Sequence, residues 1–178
     1  PEPRPAARPA TIVPCSLPTD PTGVWPSGAP MPEKSVPPAT TPCSSGIGAP
    51  DGQTPVGSVG SEHGTMVAGL AAGRGSGGNN GVIGSAPESV VLAISIGFGE
   101  GTLSSDDQIA QAVRWAVDHG ADVINMSLTR NTLDWPVSWD DAFLYAQEHD
   151  VVVVAAAGNR GSGTTQVGAP ATMPGVLT

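Results

Sequence analysis

A chain of 178 residues carrying a net charge of −9, with only seven Lys and Arg scattered along it, has the length of a single domain and no basic patch. Nucleic acid is gripped by clustered cations that displace counterions, so a DNA or RNA partner is not expected. No apolar run approaches the ~20 residues of a membrane-spanning helix, and no charged-then-apolar leader opens the chain, so any export signal is expected to lie upstream or to have been removed.

Fifteen of the 19 prolines fall within residues 1–55. Proline blocks helix and interior strand alike, and stretches such as PEPRPAARPA and MPEKSVPPATTPC carry no hydrophobic period. Residues 1–60 are therefore expected to be a Pro/Gly-rich loop segment or insertion, with a second unit over 61–178. Both cysteines, Cys15 and Cys43, lie in the loop segment. A bridge between them would stabilise by about 3–4 kcal/mol in the chain-entropy model, and it points to a secreted or cell-surface protein; two free thiols are the alternative.

From His63 the pattern changes. The run SEHGTMVAGLAAGR starts a helix at His63, with small residues at Thr65, Ala68 and Gly69. SVVLAIS, residues 89–95, is short, apolar and β-branched, as a buried strand is. Ile109, Ala112, Val113, Ala116 and Val117 then recur at helical spacing. Ser105 with Gln108 forms a capping box, Asp106 and Asp107 suit the positive helix start, and Gly120 ends the helix. DVINMSL, residues 122–128, is a second strand. A helix follows with Ser138 as its N-cap and Ala142, Phe143 and Ala146 on one face. VVVVAAAGN, residues 151–159, is a third strand. This alternation predicts an α/β fold, a parallel sheet with helices on both faces. Ligands gather at the carboxyl ends of such strands, where this chain places residues 97–101, 127–130 and 158–160.

HGTMVAG resembles the histidine signature of the subtilisin-like serine proteases, the subtilases. Three further blocks follow in the family's order: NNGVIGSAP, GADVINMSL and VVVVAAAGN. The resemblance covers roughly residues 60–178. It implies a partial three-layer subtilisin-like catalytic domain that takes a protein or peptide substrate, with no cofactor for catalysis. His63 would be the general base, a role suited to a side chain that titrates near neutrality. Asn159, after Gly158 and Ala157, would donate to the oxyanion. Gly99 and Gly101 in IGFGEGT would form an edge that pairs with the peptide, facing Ser127, Leu128 and Thr129 across the cleft. The family continues with glycine after SL, so Thr129 and Arg130 are expected to narrow or recharge the specificity pocket. Structural calcium occurs in the family, but the GSGGNN loop lacks carboxylates and no ligands are assignable.

Two other patterns carry no function. GRGSGG, residues 73–78, fits a dinucleotide-loop spacing but follows a helix instead of a strand. His119 and His149 lack metal-ligand spacing and each suits the negative pole of a helix end.

A Ser/His/Asp site also needs a serine and an aspartate. The chain stops at PGVLT before any glycine-threonine-serine block, so on its own it is expected to hydrolyse no peptide. No apolar strand closing on an aspartate is evident before His63. Asp20, in LPTDPTG between Pro18 and Pro21, is the nearest acid by spacing; otherwise the aspartate lies before residue 1 or is lost. The expected function is that of a serine endopeptidase represented by a fragment holding His63 and Asn159. The alternative is a catalytically inactive relative that binds peptides or partners through the same cleft. Neither reading sets an oligomeric state.

Overall fold

The computed structural model describes residues 10–14, 44–45, 63–75, 81–94, 96, 105–130, 132–159 and 167–178. Six strands form one sheet: β1 (Ala10–Pro14), β2 (Ser44–Ser45), β3 (Val90–Ile94), β4 (Val123–Met126), β5 (Val152–Ala155) and β6 (Val176–Leu177). Their order is β2-β3-β1-β4-β5-β6, and every neighbouring pair is parallel. Three helices accompany them: α1 (His63–Ala72), α2 (Ser105–Asp118) and α3 (Asp140–Glu148).

The first strand lies within the segment expected to be loop, residues 1–60, and it does not close on an aspartate. Ala10–Pro14 lies inside the sheet, paired along its length with β3 and, at Thr11 and Ile12, with β4. Three consecutive residues, Thr11, Ile12 and Val13, have the β-branched or apolar character of a strand. Pro14, which has no N–H to give a ladder, is where the strand ends. The flanking prolines hide so short a run from any periodicity count.

The core lies on one face of the sheet. Leu92, Ile94, Ile124, Met126, Val153 and Ala155 are buried there against α2 and α3. Helix α2 contributes Ile109, Ala112, Val113, Ala116 and Val117, and α3 contributes Ala142, Phe143 and Ala146, the residues their spacing predicted. Trp139 is fully buried beside them and stacks on Phe143, ring centroids 5.8 Å apart. Ala93, between Leu92 and Ile94, faces the other way. With Ala68 and Ala72 of α1 it is buried outside that core. Helix α1 thus covers the opposite face, over β1 and β3, while β5 keeps Val152 exposed.

Two local expectations change. Ser138 is not an N-cap: it sits inside a 3-10 turn, Val137–Trp139, and α3 begins at Asp140 with no side-chain cap bond. The small residues Thr65, Ala68 and Gly69 are expected to let α1 pack closely, but Gly69 does not serve this, since a Cβ there would meet nothing within 4 Å. That role belongs to Gly84, where a Cβ would fall 2.6 Å from the Ala71 carbonyl carbon.

Candidate active site

In a parallel sheet all carboxyl ends emerge along one edge, so the ends of β4 and β5 run side by side. Met126 is in register with Ala155, and the Ala156 N–H donates to the Met126 carbonyl at 3.0 Å. Ser127 is the first residue past that ladder. Its hydroxyl accepts from the Asn125 side-chain amide at 3.0 Å, and its backbone carbonyl receives the His63 ring through Nε2 at 3.1 Å. A carbonyl only accepts, so this contact requires the proton on Nε2. His63 is the first residue of α1 and is exposed. The helix that covers one sheet face therefore delivers its opening imidazole to the edge where β4 ends on the other side of the chain.

Leu128 packs part-buried against the core. Thr129 donates its hydroxyl to the Arg130 carbonyl at 3.0 Å. Beyond β5 the chain runs through Ala157 to Gly158, whose φ of 113° lies in a region side chains avoid, and then to the exposed Asn159. Glycine at 158 is what lets the chain turn there.

A second loop is pressed against this edge. Arg130 N–H donates to the Ala169 carbonyl at 2.7 Å, and Ala169 N–H to the Thr132 carbonyl at 3.0 Å. Gly168 has no room for a side chain: a Cβ would overlap the Arg130 carbonyl oxygen. The Arg130 guanidinium pairs with Asp106 and lies 5.6 Å from the Trp139 ring centroid. Sequence reasoning did not foresee this cluster. Its members are 24 and 33 residues apart in sequence, and no local spacing signals them.

Of the residues singled out from the sequence, His63 and Ser127 are brought into contact, and Leu128, Thr129, Ala157, Gly158 and Asn159 lie on the two adjoining strand ends. Gly99, Gly101, Asp20, Cys15 and Cys43 lie outside the described residues. Strand β1 itself contains no acidic residue. Among the described residues no group of three or more His, Cys, Asp or Glu side chains is placed to hold a metal ion, and no helix is long and apolar enough to cross a membrane. His119 and His149 donate Nδ1–H to the carbonyls of Trp115 and Tyr145, at 2.7 and 2.8 Å, so each satisfies the end of its own helix.

Comparison with known proteins agrees with this architecture. Residues 43–178 match the model of the subtilase family. Fervidolysin of Fervidobacterium pennivorans is 39% identical over 128 residues, 67% of this chain and 17% of that protein. Subtilisin DY of Bacillus licheniformis is 38% identical over 122 residues, 66% of this chain and 42% of the relative. The chain thus spans less than half the length of these relatives. Among solved structures, the S41 psychrophilic protease superposes with a TM-score of 0.68 at 26% identity, covering 94% of this chain and 50% of that one. Sphericase superposes at 0.66 and 24% identity, covering 96% and 52%; at that identity it speaks to the fold alone.

Proposed function

We propose, since this chain belongs to the subtilase family, that it is the part of a serine endopeptidase's catalytic domain that carries the general base and the oxyanion donor. The observation that carries this reading is the meeting of His63 with the Ser127 carbonyl, at the sheet edge where β5 leads to Asn159. In the reaction, His63 takes the hydroxyl proton of a serine as its oxygen bonds to the substrate carbonyl carbon. The carbonyl oxygen becomes an anion and receives the Asn159 amide. On collapse the C–N bond breaks, and His63 returns the proton to the leaving amine. Water then releases the acyl group by the same steps.

No serine of this chain stands in the sequence context expected of the nucleophile, so the nucleophile comes from elsewhere in the protein. When it is present, the His63 ring leaves the Ser127 carbonyl, its proton passes to Nδ1, and the freed Nε2 lone pair accepts from the serine hydroxyl. The peptide lies along the Ser127–Thr129 wall as an added strand; Gly99 and Gly101, which the family resemblance assigns to the facing edge, lie outside the described residues. Secretion belongs to the same reading and is supported by the extracellular name of one relative, the minor extracellular protease Vpr of Bacillus subtilis; a bridge between Cys15 and Cys43 would accompany it.

The second reading, the inactive relative, turns on the acid: β1 itself contains no acidic residue, and Asp20 lies outside the described residues. A single experiment separates the two. The complete reading frame containing these residues is expressed and treated with a serine-directed fluorophosphonate. Labelling that disappears in His63→Ala supports the protease; absence of labelling in a folded, intact protein supports the binder.

A further inference from the structure

Between the last rung of the β4–β5 ladder and Arg130 lies a three-residue strap, Ser127–Leu128–Thr129. Its near end is fixed by the Ala156 N–H on the Met126 carbonyl. Its far end is fixed by Arg130, through three separate parts of the chain. The Arg130 backbone N–H is bound to Ala169. The guanidinium is paired with the Asp106 carboxylate in the first turn of α2. Its planar head lies by the indole of Trp139, which itself donates to the Asp106 backbone carbonyl at 2.9 Å.

The geometry points to Arg130 as a positioning residue: its clamp holds the strap, and through it the Ser127 carbonyl that receives the His63 ring. The substrate-facing role of the strap rests on the protease reading; the clamp and its effect on His63 do not. An exposed ion pair alone would fix little. Here both side chains are about one third exposed, 35% and 32%, and the fork sits between a carboxylate and a buried ring. That arrangement uses the planarity and multiple donors of arginine, which lysine lacks. Trp139 belongs to the core on the α2–α3 face, while α1 and His63 come from the opposite face.

The test reads His63 directly. The 178-residue chain with nitrogen-15 histidine is compared with Arg130→Gln, Arg130→Lys and Asp106→Asn by long-range proton–nitrogen spectra of the imidazoles, at a pH above the histidine range. Loosening the strap should shift the His63 signals away from the Nε2–H form in Arg130→Gln and Asp106→Asn, and less in Arg130→Lys. His119 and His149, bonded within their own helices, should stay in place. Amide exchange at Arg130 should quicken by roughly tenfold, as expected for loss of a charge-assisted contact. Folded Arg130→Gln and Asp106→Asn variants with unmoved His63 signals would overturn the proposal, because a merely stabilising arginine lowers the melting temperature without touching that ring. If Arg130→Gln does not fold, the isosteric Asp106→Asn reads the same signal. The measurement needs no turnover, so absent fluorophosphonate labelling would defeat the protease reading and leave this result standing.

Discussion

His63 and Ser127 are 64 residues apart in sequence and meet through one hydrogen bond, imidazole Nε2–H to backbone carbonyl, at 3.1 Å. The bond joins the first residue of a helix on one face of the sheet to the first residue past a central strand. The partner is main chain, so no substitution at position 127 short of a backbone shift removes it. Ser127→Ala should therefore leave the His63 ring in place, deleting only the acceptor of the Asn125 amide. In the complete protease its kcat should change by less than about threefold, since the loss is one ordinary hydrogen bond outside the reacting atoms. A fall as large as that of His63→Ala, about 10⁴-fold or more, would show that the hydroxyl itself takes part.

Asn159 is the complementary test. If its amide meets the oxyanion only as charge develops, Asn159→Ala in the complete protease should lower kcat by about 10²–10³-fold with little change in KM. A rise in KM at unchanged kcat would instead make Asn159 a binding residue.

Gly168 reports on how tightly the second loop is pressed against the strap. A methyl at this position would overlap the Arg130 carbonyl oxygen and would lie 2.5 Å from the Thr129 hydroxyl. Only the hydroxyl can be removed. Gly168→Ala should thus cost about 1–3 kcal/mol in urea unfolding, and the double variant with Thr129→Ala should recover little of it, because the backbone carbonyl remains in the way. Full recovery would place the conflict in the side chain.

Trp139 combines apolar burial with a polar obligation. It is wholly buried, and its indole N–H satisfies the Asp106 carbonyl at 2.9 Å. Trp139→Phe keeps most of the packing and leaves that carbonyl without the indole donor, for about 1–3 kcal/mol. Trp139→Ala adds a cavity, and the total should reach about 3–5 kcal/mol. Equal losses for the two variants would mean that the hydrogen bond, and not the ring volume, carries the stability.

How much of this was legible in sequence follows from the range of each interaction. Helix α2 and the apolar face of α3 were readable because helical spacing is a local signal, and Val113, Ala116 and Ala142 are indeed fully buried. Strands β3, β4 and β5 were readable as apolar runs, though the structure trims each to the residues that make the ladder. Strand β1 was not, because what makes Ala10–Pro14 a strand is the pair of waiting neighbours, β3 and β4, supplied from more than 70 residues away. Ser127 was legible as a site residue because parallel strand ends share an edge, but its contact with His63, 64 residues away, had no local spacing behind it. The clamp around Arg130 had no such rule behind it: an arginine, an aspartate and a tryptophan in three separate elements give no spacing to read.

The single tyrosine of the chain makes the last prediction unambiguous to measure. Tyr145 donates its hydroxyl to the Asp118 carboxylate at 2.8 Å, which holds the phenol above its ordinary value of 10.0; burial and the negative charge of Asp118 push the same way, and Arg114, 5.3 Å over the ring, opposes them. A group whose folded pKa is raised stabilises the fold while protonated. That contribution is fully present below the unfolded value of about 10 and is lost as pH rises through the folded value. Ultraviolet difference titration of the folded chain should accordingly show one phenol ionising above the free-tyrosine range. Asp118→Ala should bring the midpoint down, and Arg114→Gln should move it further up. Tyr145→Phe should remove the matching alkaline loss of stability seen in urea unfolding. If Asp118→Ala leaves the midpoint unchanged while the protein stays folded, the tie between the ends of α2 and α3 is not made through this hydrogen bond.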